Sequence, residues 1–215
     1  ATISVSIFLA LTFYLVYCIY PLPVQYRIYA TLFLVAIFSF LLSYLINRLL
    51  VEVNSLVTKD PLTHALNRHT FLTSIEQALK TFQRYQTPAA LYIFDLDHFK
   101  KVNDAFGHPT GDKVLSSLSQ LVQSRIRESD QLFRYGGEEF AVLLHHTQLQ
   151  DAERFADAVR QLISDHDFGL GRSVTISGGV SNVNKTDNVA AWIERCDKAL
   201  YQAKTQGRNQ VIAVA

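Results

Sequence analysis

Hydrophobic and polar positions divide this chain into two regimes. Ile3 to Tyr20 is continuously apolar, Pro21-Leu22-Pro23 interrupts the run, and a second apolar run extends from Ile28 to Leu50. At about 1.5 Å per residue the second run makes a helix of roughly 34 Å, enough for a hydrocarbon core of about 30 Å. After Leu50 the pattern shortens. Val51 to Lys59 reads as a helical continuation of the second span. Asp60-Pro61-Leu62-Thr63 offers a cap with proline at the first helical position. Phe71, Leu72, Ile75, Leu79 and Phe82 recur at helical spacing within 70–86. Residues 89–94 are apolar without interruption, as in a strand buried on both faces. A short helix follows at 98–103. Val114, Leu115, Leu118, Leu121 and Val122 mark a helix over 111–126. A hairpin at 131–147, a helix at 152–163, a strand at 173–181, a helix at 189–205 stopped by Gly207 and a strand at 210–214 complete the order. Helices interleaved with strands predict a mixed α/β sheet with packed helices.

Charge follows the same division. Residues 1–50 hold no Asp or Glu and two cations, Arg27 and Arg48. The remaining 18 Lys and Arg face 19 Asp and Glu beyond residue 50, so that part is near neutral and shows no nucleic-acid signature. Tyr14, Tyr17, Tyr20, Tyr26 and Tyr29 gather near the break, as an aromatic belt does. The expectation is two transmembrane helices, about 3–20 and 28–50, then a connector at 51–59 and a soluble domain at 60–215. A cleaved signal peptide is the alternative for the first run. It lacks a basic start and a small-residue cleavage site, and a second span follows it. A buried core hairpin is the other alternative. Cys18 lies in an apolar run and Cys196 on a helix, which predicts no disulfide and fits a reducing compartment.

The chemistry concentrates in two places. Leu132-Phe133-Arg134-Tyr135 meets Gly136-Gly137, and Glu138-Glu139 open the run Phe140-Ala141-Val142-Leu143-Leu144. This predicts a hairpin with a Gly-Gly turn and two carboxylates at its tip. Asp95-Leu96-Asp97 closes the strand at 89–94. If the two strands are neighbours, Asp95 and Glu138 converge. Two carboxylates about 4 Å apart repel by roughly 4 kcal/mol at an effective dielectric near 20, which calls for a cation. An all-oxygen set suits Mg²⁺. In the alternative, Asp95 caps the helix at 98–103 and the glutamates are solvated.

Gly136-Gly137-Glu138-Glu139-Phe140 resembles the signature of the GGDEF-domain diguanylate cyclases in its GGEEF form. The likeness covers about 60–214. It includes Asp60 to Thr63 with Asn67-Arg68, and Asp95 to Lys100 with Asn103-Asp104, Phe106 to His108 and Gly111-Asp112. It ends with Ala203-Lys204 and Gly207-Arg208-Asn209. The resemblance implies a palm-like sheet shared with nucleotide cyclases and polymerases, here preceded by a transmembrane helical hairpin. It implies condensation of two GTP into cyclic di-GMP and two pyrophosphates. Asp95, the Leu96 carbonyl and Glu138 are then Mg²⁺ ligands, with Mn²⁺ the substitute. Glu139 is a second ligand or the base for the 3′-hydroxyl. Lys100, Lys204 and Arg208 meet the triphosphate. Asn103 and Asp112 read guanine, with His108 lining that pocket. Arg127 and Asp130 match the family's inhibitory product-binding RxxD motif, for which a solvated Arg–Asp pair is the bland alternative.

A two-fold product made from one-GTP sites implies a homodimer. Cytosolic GTP implies a multi-pass protein of the bacterial inner membrane with its catalytic domain in the cytoplasm. The competing class is a non-catalytic nucleotide receptor on the same fold; the intact signature favours the enzyme. His64, His69, His145, His146 and His166 form no metal-ligand pattern, and Trp192 and Cys196 read as core.

Overall fold

The computed structural model describes Tyr14, Cys18, residues 21–56 (for 50–56 the backbone alone) and residues 58–215. The predicted span at 3–20 lies outside the described residues, Tyr14 and Cys18 excepted. The chain divides into two compact units between Leu56 and Val57.

The long element described in the first unit is a helix, α1, Leu22–Leu56. The expected loop around Arg27 is helical instead. Val24 and Gln25 N–H both donate to the Pro21 carbonyl, and Pro23 sits in the first turn, where its missing N–H is no loss. Arg27 accepts from Thr31 Oγ1 at 2.8 Å within the helix. Leu22–Leu49, 28 residues and about 42 Å at 1.5 Å per residue, is long and apolar enough to cross a membrane. Phe33, Phe38, Phe40 and Leu45 along it are exposed. The connector is helical through Leu56, but Lys59 instead pairs with Leu66 in an isolated bridge.

The second unit runs α2 (Arg68–Tyr85), β1 (Ala89–Leu96), α3 (Phe99–Phe106), α4 (His108–Gln123), β2 (Gln131–Arg134), β3 (Glu139–His145), α5 (Leu149–Asp165), β4 (Ile176–Asn182), α6 (Val189–Thr205) and β5 (Val211–Val214). The sheet order is β2-β3-β1-β4-β5, antiparallel except for the β4–β5 pair. β1 is central, and its uninterrupted apolar run follows from that. Ala90, Tyr92, Phe94 and Leu96 pack under α3, α4 and α5, while Ala89, Leu91 and Ile93 pack under α2 and α6. Gly179 on β4 lets α6 approach so closely that a Cβ there would lie 2.6 Å from the Leu200 backbone nitrogen.

Two local expectations are corrected. α4 begins at His108, not Gly111, because Gly107 (φ 81°) ends α3 and starts α4, with Pro109 in the first turn. Asp60-Pro61 opens a turn rather than a helix. Asp60 Oδ1 accepts from Thr63 N–H (2.9 Å) and Thr63 Oγ1 (2.7 Å), and the helix starts later, capped by Asn67.

Candidate active site

The β1–β3 register sets Asp95 opposite Glu139. Facing residues of an antiparallel pair share one side of the sheet, here the α2–α6 side. The cross-strand partner is thus Glu139, not Glu138, which lies in the connecting loop. That loop is longer than a Gly-Gly turn. Tyr135 and Gly136 N–H both donate to the Glu139 carbonyl (2.9 and 3.2 Å), enclosing Gly136, Gly137 and Glu138. A Cβ on Gly136 would press on the Glu139 carboxylate, so glycine here lets that side chain keep its place. A Cβ on Gly137 would meet no described atom within 4 Å, so the tip is open to an incoming group. Leu96 N–H donates to the Glu138 carbonyl at 3.4 Å and ties the loop to the end of β1.

Burial pushes the Asp95 carboxyl up to about 6. The Lys204 ammonium, 3.1 Å away, pulls it down, and Glu138 and Glu139 push it up further. Glu138 is raised by burial too, with Lys204 opposing and Glu139 adding. Asp197 on α6 is raised by burial and by Glu139, with Lys204 again opposing. Sequence reading missed Asp197. Its seven-residue spacing from Lys204, two turns on one helix face, was the available signal. One ammonium therefore serves several carboxylates. Asp95, Glu138 and Glu139 bring carboxylate oxygens alone to this corner, the donor type a hard divalent cation takes. Among the described residues, no three Asp, Glu, His or Cys side chains form a ready-made metal cage. Asp95 does not cap the next helix: α3 starts at Phe99, and its N-cap is His98, which makes no side-chain cap bond.

Asp97, two residues on, has a different task. Its carboxylate accepts from Thr175 Oγ1 (2.7 Å), Ser177 Oγ (2.7 Å) and Asn209 N–H (3.0 Å). It thereby pins the turn after α6, where Arg208 sits at φ 64°, to the end of β1. Lys100 is exposed in the first turn of α3, which leaves the same strand end.

Asn103, His108 and Asp112 gather at the α3–α4 corner. The Asn103 carbonyl accepts from Gly107 N–H at 2.8 Å. Gly111 is buried against the Asn103 carboxamide, which a Cβ would strike. His108 and Asp112, four apart on α4, are exposed on one face. Asp112 does not cap α4, which begins at His108 with Gly107 as its N-cap. Arg172, also unforeseen, donates to the Lys101 carbonyl at 3.2 Å and lies 5.2 Å from the Phe106 ring, bracing α3.

The RxxD residues sit elsewhere. Asp130 is buried, and its carboxylate accepts from the N–H groups of Arg127 (3.2 Å) and His145 (3.1 Å). The solvated ion pair is not what forms. Arg127 is exposed and lines a cleft of about 360 Å³ with Arg125 and Arg154. From Glu139 to His145 β3 covers roughly 20 Å, so this cleft lies at the far end of the strand from the acidic loop.

Residues 57–210 match the sequence model of the diguanylate cyclase GGDEF domain. Diguanylate cyclase DgcS of Shewanella oneidensis is 39% identical over 153 residues, 70% of this chain and 50% of that protein. The response regulator PleD of Caulobacter vibrioides is 39% identical over 166 residues, 74% of this chain and 37% of that protein. The chain thus spans about half or less of the length of the curated relatives it matches. The solved GGDEF domain of DgcB from Caulobacter crescentus, in complex with c-di-GMP, superposes with a TM-score of 0.70 at 29% identity, covering 73% of this chain and 95% of that one. The active GGEEF domain of a Vibrio cholerae diguanylate cyclase gives 0.67 at 34% identity, covering 69% and 97%. The expected α/β fold is the observed one. Of the expected hairpin before it, one apolar helix is described.

Proposed function

The chain belongs to the GGDEF diguanylate cyclase family, and from that premise we propose that it joins two GTP into cyclic di-GMP with release of two pyrophosphates. The observation that carries the reading is the cross-strand pair Asp95–Glu139 beside Glu138, with Lys204 as the compensating cation. In each half-reaction the 3′ oxygen of one GTP bonds to the α-phosphorus of the other. The bond from that phosphorus to the pyrophosphate oxygen breaks, and the 3′ proton leaves to a base. Glu139 would take that proton or hold a second metal ion. Asp95, Glu138 and the Leu96 carbonyl would hold Mg²⁺ or Mn²⁺, which would supply neutralisation of phosphate charge. Lys100, Arg208 and Lys204 bind the triphosphate, Lys204 exchanging Asp95 for a phosphate oxygen.

Asn103 and Asp112 read guanine beside His108. Guanine offers N1–H and N2–H₂ to a carboxylate, whereas adenine would set an unprotonated N1 against it. Arg127 binds product guanine through O6 and N7 from the distant cleft, and Asp130 holds the Arg127 backbone there. The two-fold product requires a homodimer. α1 anchors the chain in the bacterial inner membrane, with residues 57–215 on the cytoplasmic side. The test is full-length protein in detergent with Mg²⁺ and either GTP or ATP, assayed for cyclic dinucleotide. Product is expected from GTP and little from ATP. Asp95→Ala and Glu138→Ala should each lower the rate by about 100-fold or more while still melting cooperatively. GTP binding without product would point to a receptor module; wild-type rates in either variant would remove the metal assignment.

A further inference from the structure

The segment leading into the second unit is bonded to the acidic hairpin by contacts that none of the chemistry above requires. Leu66 lies along the edge of β2. Its N–H donates to the Leu132 carbonyl (2.9 Å), and its carbonyl accepts from Arg134 N–H (2.7 Å). The segment closes on itself through the Lys59–Leu66 bridge and an Asn67 N–H to Thr58 carbonyl bond of 2.9 Å. Arg134 reaches two ways. Nη1 donates to Asp60 Oδ1 at 2.9 Å, while Nε and Nη2 donate to the Gly137 carbonyl at 3.1 and 2.7 Å. The next residue, Tyr135, meets the edge of Phe71 at 5.0 Å and the Arg68 guanidinium at 5.2 Å.

The Asp60–Arg134 side chains are only 20% and 16% exposed, so solvent screens this bridge less than a surface pair. Burial works against the Asp60 charge, but bonds from Thr63 and Arg134 outweigh it and hold the carboxyl below its ordinary range. Gly137 directly precedes Glu138. A glycine has wide backbone freedom, and two guanidinium N–H groups aim its carbonyl at one position. Only a planar fork reaches both acceptors at once, which explains arginine at 134.

We propose that residues 58–71 form a clasp on the hairpin, in which Asp60 and Arg134 are positioning residues that fix the Gly137 carbonyl and so set where the Glu138 carboxylate stands. This rests on the assignment of Glu138 to the catalytic centre. The test uses full-length protein in detergent as wild type, Asp60→Asn, Arg134→Ala and Arg134→Lys. It reads kcat, KM for GTP, melting temperature and amide hydrogen exchange over 135–140. Asp60→Asn keeps an acceptor for Thr63, so the turn still forms.

Asp60→Asn and Arg134→Ala are expected to lower kcat by about 10–100-fold, the size of effect a small misplacement of catalytic groups produces. KM should stay within about threefold. Exchange at 136–139 should quicken by about tenfold while the remaining sheet is unchanged. Arg134→Lys should not rescue, since one ammonium cannot hold both acceptors. Wild-type kcat in Asp60→Asn, unchanged exchange in the loop, or faster exchange spread evenly over the sheet would overturn the clasp. If wild type makes no cyclic di-GMP, the cyclase reading fails, and the exchange measurement alone decides the clasp.

Discussion

Asp95 shows how a single side chain is placed against its own stability. It is 6% exposed, faces Glu139 across the sheet and has Lys204 as its cation. Its folded-state pKa near 6 lies above the ordinary 3.8, with burial the main cause. The sign follows. Well below the ordinary value the group is protonated in folded and unfolded chains and contributes nothing. Between that value and about 6 the folded chain holds more protons, so stability falls as pH rises. Above that range the full penalty, about 2–3 kcal/mol, remains. Asp95→Asn should therefore raise the melting temperature in EDTA at pH 7.5 by a few degrees and leave it nearly unchanged at pH 4. Equal melting curves at both pH values would show that the carboxylate is not strained in the metal-free protein. The gain in stability should accompany loss of turnover, as expected where binding chemistry and folding compete for one residue.

At the scale of elements, two glycines carry opposite expectations. A Cβ at Gly179 would press on the Cys196 carbonyl and Leu200 nitrogen, both α6 backbone. Gly179→Ala should destabilise by about 1–3 kcal/mol and shift the helix that carries Asp197 and Lys204. Gly137→Ala meets open space, so stability should change by less than about 0.5 kcal/mol while GTP turnover is lost. Denaturant melts and rates on both variants check this; a destabilised Gly137→Ala protein would mean that the loop, not a ligand, needs the space. The same elements show what sequence carries. β1 and α6 were legible because an uninterrupted apolar run and a helical stretch stopped by Gly207 leave few alternatives. The start of α4 was not, since periodicity cannot reveal that Gly107 adopts φ 81°. The loop length was not, because Gly-Gly suits a two-residue turn equally well. The motif residues announced themselves, but Asp197 feels Glu139 from another element and Arg172 bonds to Lys101, both distant in sequence, and Asp60 is defined by Arg134, 74 residues away.

For the whole molecule, the proposed reaction imposes a constraint of symmetry. On that reading a two-fold product cannot be closed by one domain with one set of ligands, so encounter between two domains would limit the rate whenever they are free to part. The clasp begins at Thr58, two residues past the end of α1, so it is the first part of the second unit that the chain reaches after the helix. Residues 57–215 without α1 should show specific activity that rises with protein concentration, whereas the full chain in membranes should not. A dimeric coiled coil in place of residues 1–56 should restore the rate at low concentration by raising the effective concentration of the second domain to about the millimolar range. The comparison is product formation per domain over a dilution series, with sedimentation run in parallel. A monomer that keeps its full rate on dilution would mean that one domain completes both bonds, and the homodimer assignment would fall. A coiled-coil fusion that sediments as a dimer yet stays slow would place the need in the register of the helices entering Thr58 rather than in proximity alone.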